Sequence, residues 1–292
     1  MSHVSALPVR RGLGFVLFAA VAWGTGGAMG ALLQRGGALS PLGVAFWRLA
    51  IAALIVVAAT RTAARLDRRT LAIGPLMAVN QGAYFAAIAH SGVAFATMVT
   101  MGVMPVLAVL AARVFLKERL TRPAMAGVAL AIVGVVLMAD LADAASLTGA
   151  GFSVLSATAY AGMTVITKAS FHKSALAWRF AAGALCLLPV ALLMGGLIPA
   201  ASALPGLAYL GAVPTALAYG LFFTGLGSVR VATAALIALL EPLVGAIIGV
   251  TLLGERLTTG QIAGGALLLT AVVVTALADL TPSRVIANTR EP

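Results

Sequence analysis

The chain has 292 residues, 62% of them apolar and only 9% charged, with a mean hydropathy of +1.09; a soluble domain carries roughly 25% charged residues. That is too few polar side chains to cover a water-facing surface, so the bilayer is the expected solvent. The formal net charge of +11 falls between apolar stretches, which assigns it to a membrane surface and not to nucleic acid. The single Cys186 excludes a disulfide framework and a thiolate metal cluster.

A crossing helix needs about 20 mainly apolar residues. On that ruler ten spans follow one another, at about 12–34, 41–60, 71–90, 93–116, 122–140, 149–170, 175–195, 203–225, 229–253 and 259–279. The N-terminus up to Arg11 is short. The first apolar stretch exceeds a signal-peptide core and lacks a cleavage site, so it is read as retained. The tightest breaks, His90-Ser91-Gly92 and Leu226-Gly227-Ser228, fall at matching places in the two halves of the chain.

With the N-terminus in the cytoplasm, fourteen Lys and Arg fall on inner tails and loops and only Arg35 and Arg256 on outer ones, with Arg48, Arg113 and Arg179 inside spans. This bias predicts the orientation, both termini inside, and a missed span would blur it. Asp140 and Asp143 lie near the outer loop after the fifth span.

The chain nearly repeats itself. Pro105 precedes Glu118-Arg119-Leu120-Thr121 by thirteen residues, and Pro242 precedes Glu255-Arg256-Leu257-Thr258 by thirteen. Gly14 pairs with Gly151, Trp47-Arg48 with Trp178-Arg179, Ala83-Tyr84 with Ala218-Tyr219 and Ala96-Thr97 with Ala232-Thr233, all at offsets between 131 and 137. The repeats are expected over 12–140 and 149–279. Five crossings per repeat is an odd number, so the second half enters from the opposite side and the halves are inverted, an arrangement suited to alternating access. The predicted fold is an all-α integral membrane protein, two inverted five-helix repeats around a central cavity.

Two such repeats, each with a mid-span proline followed by Glu-Arg-Leu-Thr, resemble the drug/metabolite transporter superfamily and its EamA family of ten-helix exporters. Trp23-Gly24, Trp47-Arg48 and Glu241-Pro242 fit the same pattern. Within the family the chain looks most like YddG-type amino-acid exporters, though no motif sets a substrate. The resemblance covers about residues 12–279. It implies an inner-membrane exporter of small metabolites, with spans 1, 3, 4, 6, 8 and 9 lining the cavity and spans 5 and 10 at the periphery.

Polar groups inside hydrocarbon are costly and normally face protein or a wet cavity. Glu241 is the one acid near the middle of a span, and its counterpart is Met104. It reads as a protonation or substrate-amine site, or as a structural acid bonding backbone near Pro242. Pro105 and Pro242 remove i−4 hydrogen bonds and should bend their spans; service as gate hinges is a further step. Arg48 and Arg179 follow Trp47 and Trp178, near opposite faces. They read as interfacial anchors snorkelling to headgroups, or as inward-facing gate or positioning groups. Asn80, Gln81 and Tyr84 share a face of span 3 with Met77. Such amides serve either as glue between helices or as donors and acceptors for a substrate's carboxylate and amine. His90 reads as interfacial.

Thr97, Met101 and Met104 form a stripe on span 4 beside Met98, serving as packing or as an adaptable pocket wall. Trp23 and its repeat partner Tyr160, with Met163, Tyr219 and Phe223, add aromatic and thioether surface that suits an amino acid with an apolar side chain. The pairs Gly26/Gly30, Gly245/Gly249 and Gly260/Gly264 read as close helix packing. The sequence contains no phosphate-binding Gly-x-x-x-x-Gly-Lys-Ser/Thr loop and only three His, and Gly151-Phe152-Ser153-Val154-Leu155 lacks the closing glycine of a nucleophile elbow.

The function expected is a secondary carrier that exports amino acids or related small metabolites across the inner membrane. It would act without a cofactor or metal, with the substrate and membrane lipids as its partners and no nucleic acid. A proton-coupled multidrug or metabolite antiporter is the alternative. An intramembrane enzyme lacks a visible nucleophile or ligand set, and a non-transporting scaffold gains nothing from inverted repeats. A monomer suffices for this reading, and oligomerisation is left open.

Overall fold

A computed structural model describes residues 8–37, 39–60, 68–115, 122–138, 144–168, 175–226, 228, 237–238 and 240–280. Its helices are α1 (Val9–Gln34), α2 (Pro41–Thr60), α3 (Arg68–Phe115), α4 (Arg122–Met138), α5 (Ala144–Lys168), α6 (Ala175–Met194), α7 (Leu204–Gly211), α8 (Ala218–Leu226), α9 (Leu240–Thr251) and α10 (Thr259–Leu280). A π-helical stretch, Ala212–Leu217, joins α7 and α8 into one rod. α3 is two arms broken at Gly92. With the arms counted separately and the rod once, ten helical segments follow the predicted order, and the protein is an all-helical membrane protein with no strand among the described residues. Among the described residues, five stretches are long and apolar enough to cross alone: Val9–Gln34, Pro41–Ala59, Ala72–Met104, Leu176–Met194 and Ala201–Gly225. Met125–Met138, Leu240–Thr251 and Thr259–Val274 are shorter apolar helices. The first Glu-Arg-Leu-Thr motif, Asp140, Asp143, Gly227 and the expected start of span 9 lie outside the described residues.

Helix is the form these sequences must take in lipid, because no water is present to satisfy the backbone. Their hydroxyls follow the same logic. Thr148, Thr158, Thr251 and Thr270 are exposed, and each donates to the carbonyl four residues earlier at 2.6–2.8 Å. None of these four hydroxyls is then left unpaired. α5 starts at Ala144, earlier than the 149 expected from hydropathy. Hydropathy marks the edge of the lipid, whereas Ala144-Ala145-Ser146 can be helical without being immersed.

The packing exchanges the two halves. α2 packs on α6 and α4 on α10, each a segment against its own counterpart. The arms of α3 pack on α5, and the α7–α8 rod with α9 packs on α1, which is the same contact with the halves swapped. Glycines allow the closest of these approaches. A Cβ on Gly24 of α1 would lie 2.6 Å from the Val244 Cβ and 2.9 Å from the Glu241 carbonyl oxygen of α9.

The connections on one face of the bundle are bound to one another. Arg35 donates from Nη2 to the Leu253 carbonyl at 2.8 Å. The Ser40 amide donates to the Gly196 carbonyl at 3.0 Å, Trp47 Nε1 to the Leu197 carbonyl at 2.8 Å, and the Ser91 hydroxyl to the Ala145 carbonyl at 3.2 Å. Two further bonds come from Glu255, whose Oε1 accepts from the Val93 amide at 2.6 Å and Oε2 from the Ala94 amide at 2.9 Å. These are the opening amides of the second arm of α3, which have no partner within the helix. Gly92 makes the break with φ 79° and ψ 172°, a conformation essentially reserved for glycine. A Cβ there would also lie 2.9 Å from the Glu255 carboxyl carbon. Thr258, at the other end of the same motif, caps α10: its hydroxyl accepts from the Gln261 amide at 3.2 Å, and Gln261 Oε1 accepts from the Thr258 amide at 2.9 Å, a reciprocal capping box. The repeated Glu-Arg-Leu-Thr motif is thus, in its second copy, a pair of helix caps.

Candidate functional site

Six helices, with both arms of α3 among them, meet at a cavity with about 430 Å³ of space unfilled by atoms, part of it open to the outside. α1 contributes Trp23 and α2 contributes Arg48. The first arm of α3 contributes Asn80, Gln81 and Tyr84, and the second arm Thr100 and Met101. α5 contributes Ser156 and Tyr160, α8 Tyr219 and α9 Glu241. α4 and α10 supply none of this lining.

One wall is aromatic. The rings of Trp23 and Tyr219 lie 5.1 Å apart, Trp23 and Phe222 5.0 Å, and Tyr219 and Phe180 5.5 Å edge to face. Phe223 packs on Tyr219 and Phe222. Tyr84 is fixed from behind, its hydroxyl 2.8 Å from that of Thr97, which is fully buried. Met163 is buried in the core. Thr97, Met163 and Phe223 therefore lie outside the lining and support it. Met101 reaches the lining, and its carbonyl has no i+4 amide to accept because that residue is Pro105.

The amides divide the work. Asn80 ties α3 to α5: its Nδ2 donates to the Ser156 carbonyl at 3.1 Å and hydroxyl at 3.0 Å, and the Ser156 hydroxyl donates to the Asn80 carbonyl at 2.9 Å. Gln81 donates from Nε2 to Asn80 Oδ1 at 2.7 Å. Its Oε1, like Trp23 Nε1, is buried and has no partner. Such groups are costly to leave unmet, and they give the cavity lining a buried unused acceptor and a buried unused donor.

Arg48 is 5% exposed, so its side chain does not extend to lipid headgroups. Its Nε donates to the Thr215 hydroxyl at 2.8 Å, and its guanidinium carbon lies 5.7 Å from the Phe85 ring centre. Arg179 is also buried, at 6% exposure. The tryptophans differ: Trp47 is half-buried in the bonded face, whereas Trp178 is 37% exposed. His90 stacks on Phe152 at 5.7 Å. The backbone stays helical at Pro105, since Gly92 carries the non-helical dihedrals of α3. Pro242 is buried in the first described turn of α9, beside Glu241.

The cavity includes a basic residue on α2, which the resemblance did not place in the lining, and hydroxyls at Thr100 and Ser156 that sequence reasoning passed over. Both hydroxyls carried a signal: Ser153, Ser156 and Tyr160 share one face of an apolar span, as do Thr97, Thr100 and Met104. Thr215 was signalled only by the neighbouring proline in mid-span.

A buried polar and charged cavity lies at the meeting point of the two related halves. The EamA-like transporter family model matches this chain twice, over residues 10–139 and 147–277. The chain belongs to the EamA-like transporter family. An uncharacterized transporter of Archaeoglobus fulgidus is 33% identical over 244 residues, covering 80% of this chain and 86% of the relative. The uncharacterized transporter YwfM of Bacillus subtilis is 29% identical over 280 residues, covering 89% and 92%. A protein known from a crystal structure superposes with a TM-score of 0.65 at 18% identity, covering 92% of this chain and 99% of its own, a likeness of fold alone. The EamA-like transporter described here is thus a membrane transporter, a class whose members carry small molecules.

Proposed function

We propose that this protein is a secondary carrier that exports amino acids with apolar or aromatic side chains across the inner membrane. The observation that carries the reading is the pairing, in one cavity, of a basic and an acidic side chain with an aromatic wall: Arg48 and Glu241 beside Trp23, Tyr160 and Tyr219. A free amino acid carries a carboxylate, an ammonium and a side chain. Arg48 suits the carboxylate, Glu241 the ammonium and the aromatic wall the remainder, while Gln81 Oε1 and Trp23 Nε1 offer further contacts. A charged pair in a wet cavity is tolerable empty and becomes well matched when a zwitterion lies between its members.

The repeats bounded at about 12–140 and 149–279, inverted across the membrane, supply two near-equal packings for alternating access. The excess of Lys and Arg on one set of connections supports a cytoplasmic N-terminus. The bonded face is then the outer one. Pro105 and Pro242 are the proposed hinges, and Trp47, Arg179 and Trp178 the proposed groups at the gates.

Counterflow of radiolabelled leucine, methionine and phenylalanine into proteoliposomes of purified protein tests the reading. Saturable exchange competed by unlabelled apolar amino acids is expected. Exchange of sugars or phosphates with none of amino acids would overturn it. Glu241 in the cavity favours a second reading, coupling to protons. If it holds, collapsing a pH gradient abolishes uphill flux; if exchange alone operates, the flux is unmoved.

A further inference from the structure

The strongest arrangement outside the lining itself is the π-helical stretch of the α7–α8 rod, facing Arg48. Pro214 has no N–H, so the Leu210 carbonyl loses its normal i+4 donor. The chain responds by widening to π-helix over Ala212–Leu217. The Thr215 hydroxyl then donates to the orphaned Leu210 carbonyl at 2.7 Å. A hydroxyl has one proton, and here it is committed. The Thr215 oxygen therefore meets Arg48 as an acceptor only, and Nε donates to it at 2.8 Å.

The fit around this contact is tight on both sides. Thr215 is 1% exposed and Phe85, under the guanidinium, is fully buried. One turn further along α2, a Cβ on Gly211 would lie 2.5 Å from Ile51 Cγ2, so α2 and the base of the π stretch are packed together. Engaging Nε leaves the donors of the two terminal nitrogens, which grip a carboxylate end-on.

We propose that Thr215, presented by the π stretch around Pro214, is the positioning residue that aims Arg48 at the substrate carboxylate and so sets the preference for acids over their neutral derivatives. The inference rests on the amino-acid reading above and deepens it. Deleting the Thr215 acceptor leaves the Arg48 charge in place but frees the fork to turn, so the loss falls on substrates that need the fork. A hydrogen bond that only tied α2 to the rod would affect all substrates alike.

The test uses full-length protein in proteoliposomes and two probe pairs, phenylalanine with phenylalaninamide and leucine with leucinamide. Wild type is expected to favour each acid over its amide by at least tenfold in kcat/KM. In Thr215→Val, which keeps size and shape, KM for the acids rises about tenfold while the amides are unchanged, and the preference collapses. Thr215→Ser keeps the preference, and Arg48→Lys reproduces the valine phenotype. Thr215→Val with the wild-type ratio, or with acids and amides slowed equally, overturns the positioning role and leaves the amino-acid reading standing. Wild type that treats acid and amide alike, or transports neither, overturns both.

Discussion

Glu255 gives the most quantitative handle on this fold. Its two oxygens accept from the Val93 and Ala94 amides at 2.6 and 2.9 Å, across more than 160 residues of chain. Hydrogen bonds to charged groups contribute roughly 1.5–3 kcal/mol each, and a carboxylate at a helix N-terminus adds about 0.3–1 kcal/mol. Both bonds are only partly buried, so water can replace some of what is lost. Glu255→Ala should therefore destabilise by about 2–4 kcal/mol, below the sum of the isolated terms. Glu255→Gln keeps one acceptor, presents an NH₂ to the other amide and loses the charge, and should cost about 1–2 kcal/mol. At roughly 2–4 °C per kcal/mol for chains of this order of size, the alanine variant melts about 4–16 °C lower in detergent and the glutamine variant falls between it and wild type. Thermal unfolding followed by size-exclusion of heated samples reads this directly. An alanine variant that melts with wild type would refute the claim that this carboxylate holds the break at Gly92.

Gly92→Ala meets both an unfavourable φ of 79° and the Glu255 carboxyl, and should cost about 2–3 kcal/mol. It should add less than fully to Glu255→Ala, because the two share the carboxyl contact while the φ penalty remains; a double-variant melting series checks the coupling. Arg48→Ala should raise KM for an apolar amino acid roughly 10- to 100-fold while leaving the protein monodisperse and correctly inserted, with radiolabelled flux as the readout. Glu241→Gln removes a charge but keeps the shape. If the acid meets the substrate ammonium, the variant loses affinity for amino acids and keeps it for their N-acetyl forms, which a competition assay separates; equal affinity for both forms before and after the change would sink that role.

Much of this transporter was legible from one line of letters. Where every backbone group must be satisfied internally, apolar length alone dictates helix, and an offset of 131–137 residues between matching motifs marks two related halves. The bias of Lys and Arg to one set of connections belongs to the same one-dimensional information, because it depends on position along the chain alone. Asn80, Gln81, Trp23, Tyr160 and Tyr219 could be singled out as candidates because polar and aromatic groups are rare in such spans. Three-dimensional packing decided what each of them does. Asn80 serves Ser156 and leaves Gln81 with an unmet oxygen, Thr97 stands behind Tyr84, and Arg48 turns inward because Thr215 accepts from it across 167 residues of chain. No periodicity reports such distant partners. Glu255 shows the same division: its motif is visible as a repeat, but the amides it caps belong to another half of the molecule, and only the folded chain brings carboxylate and helix end together.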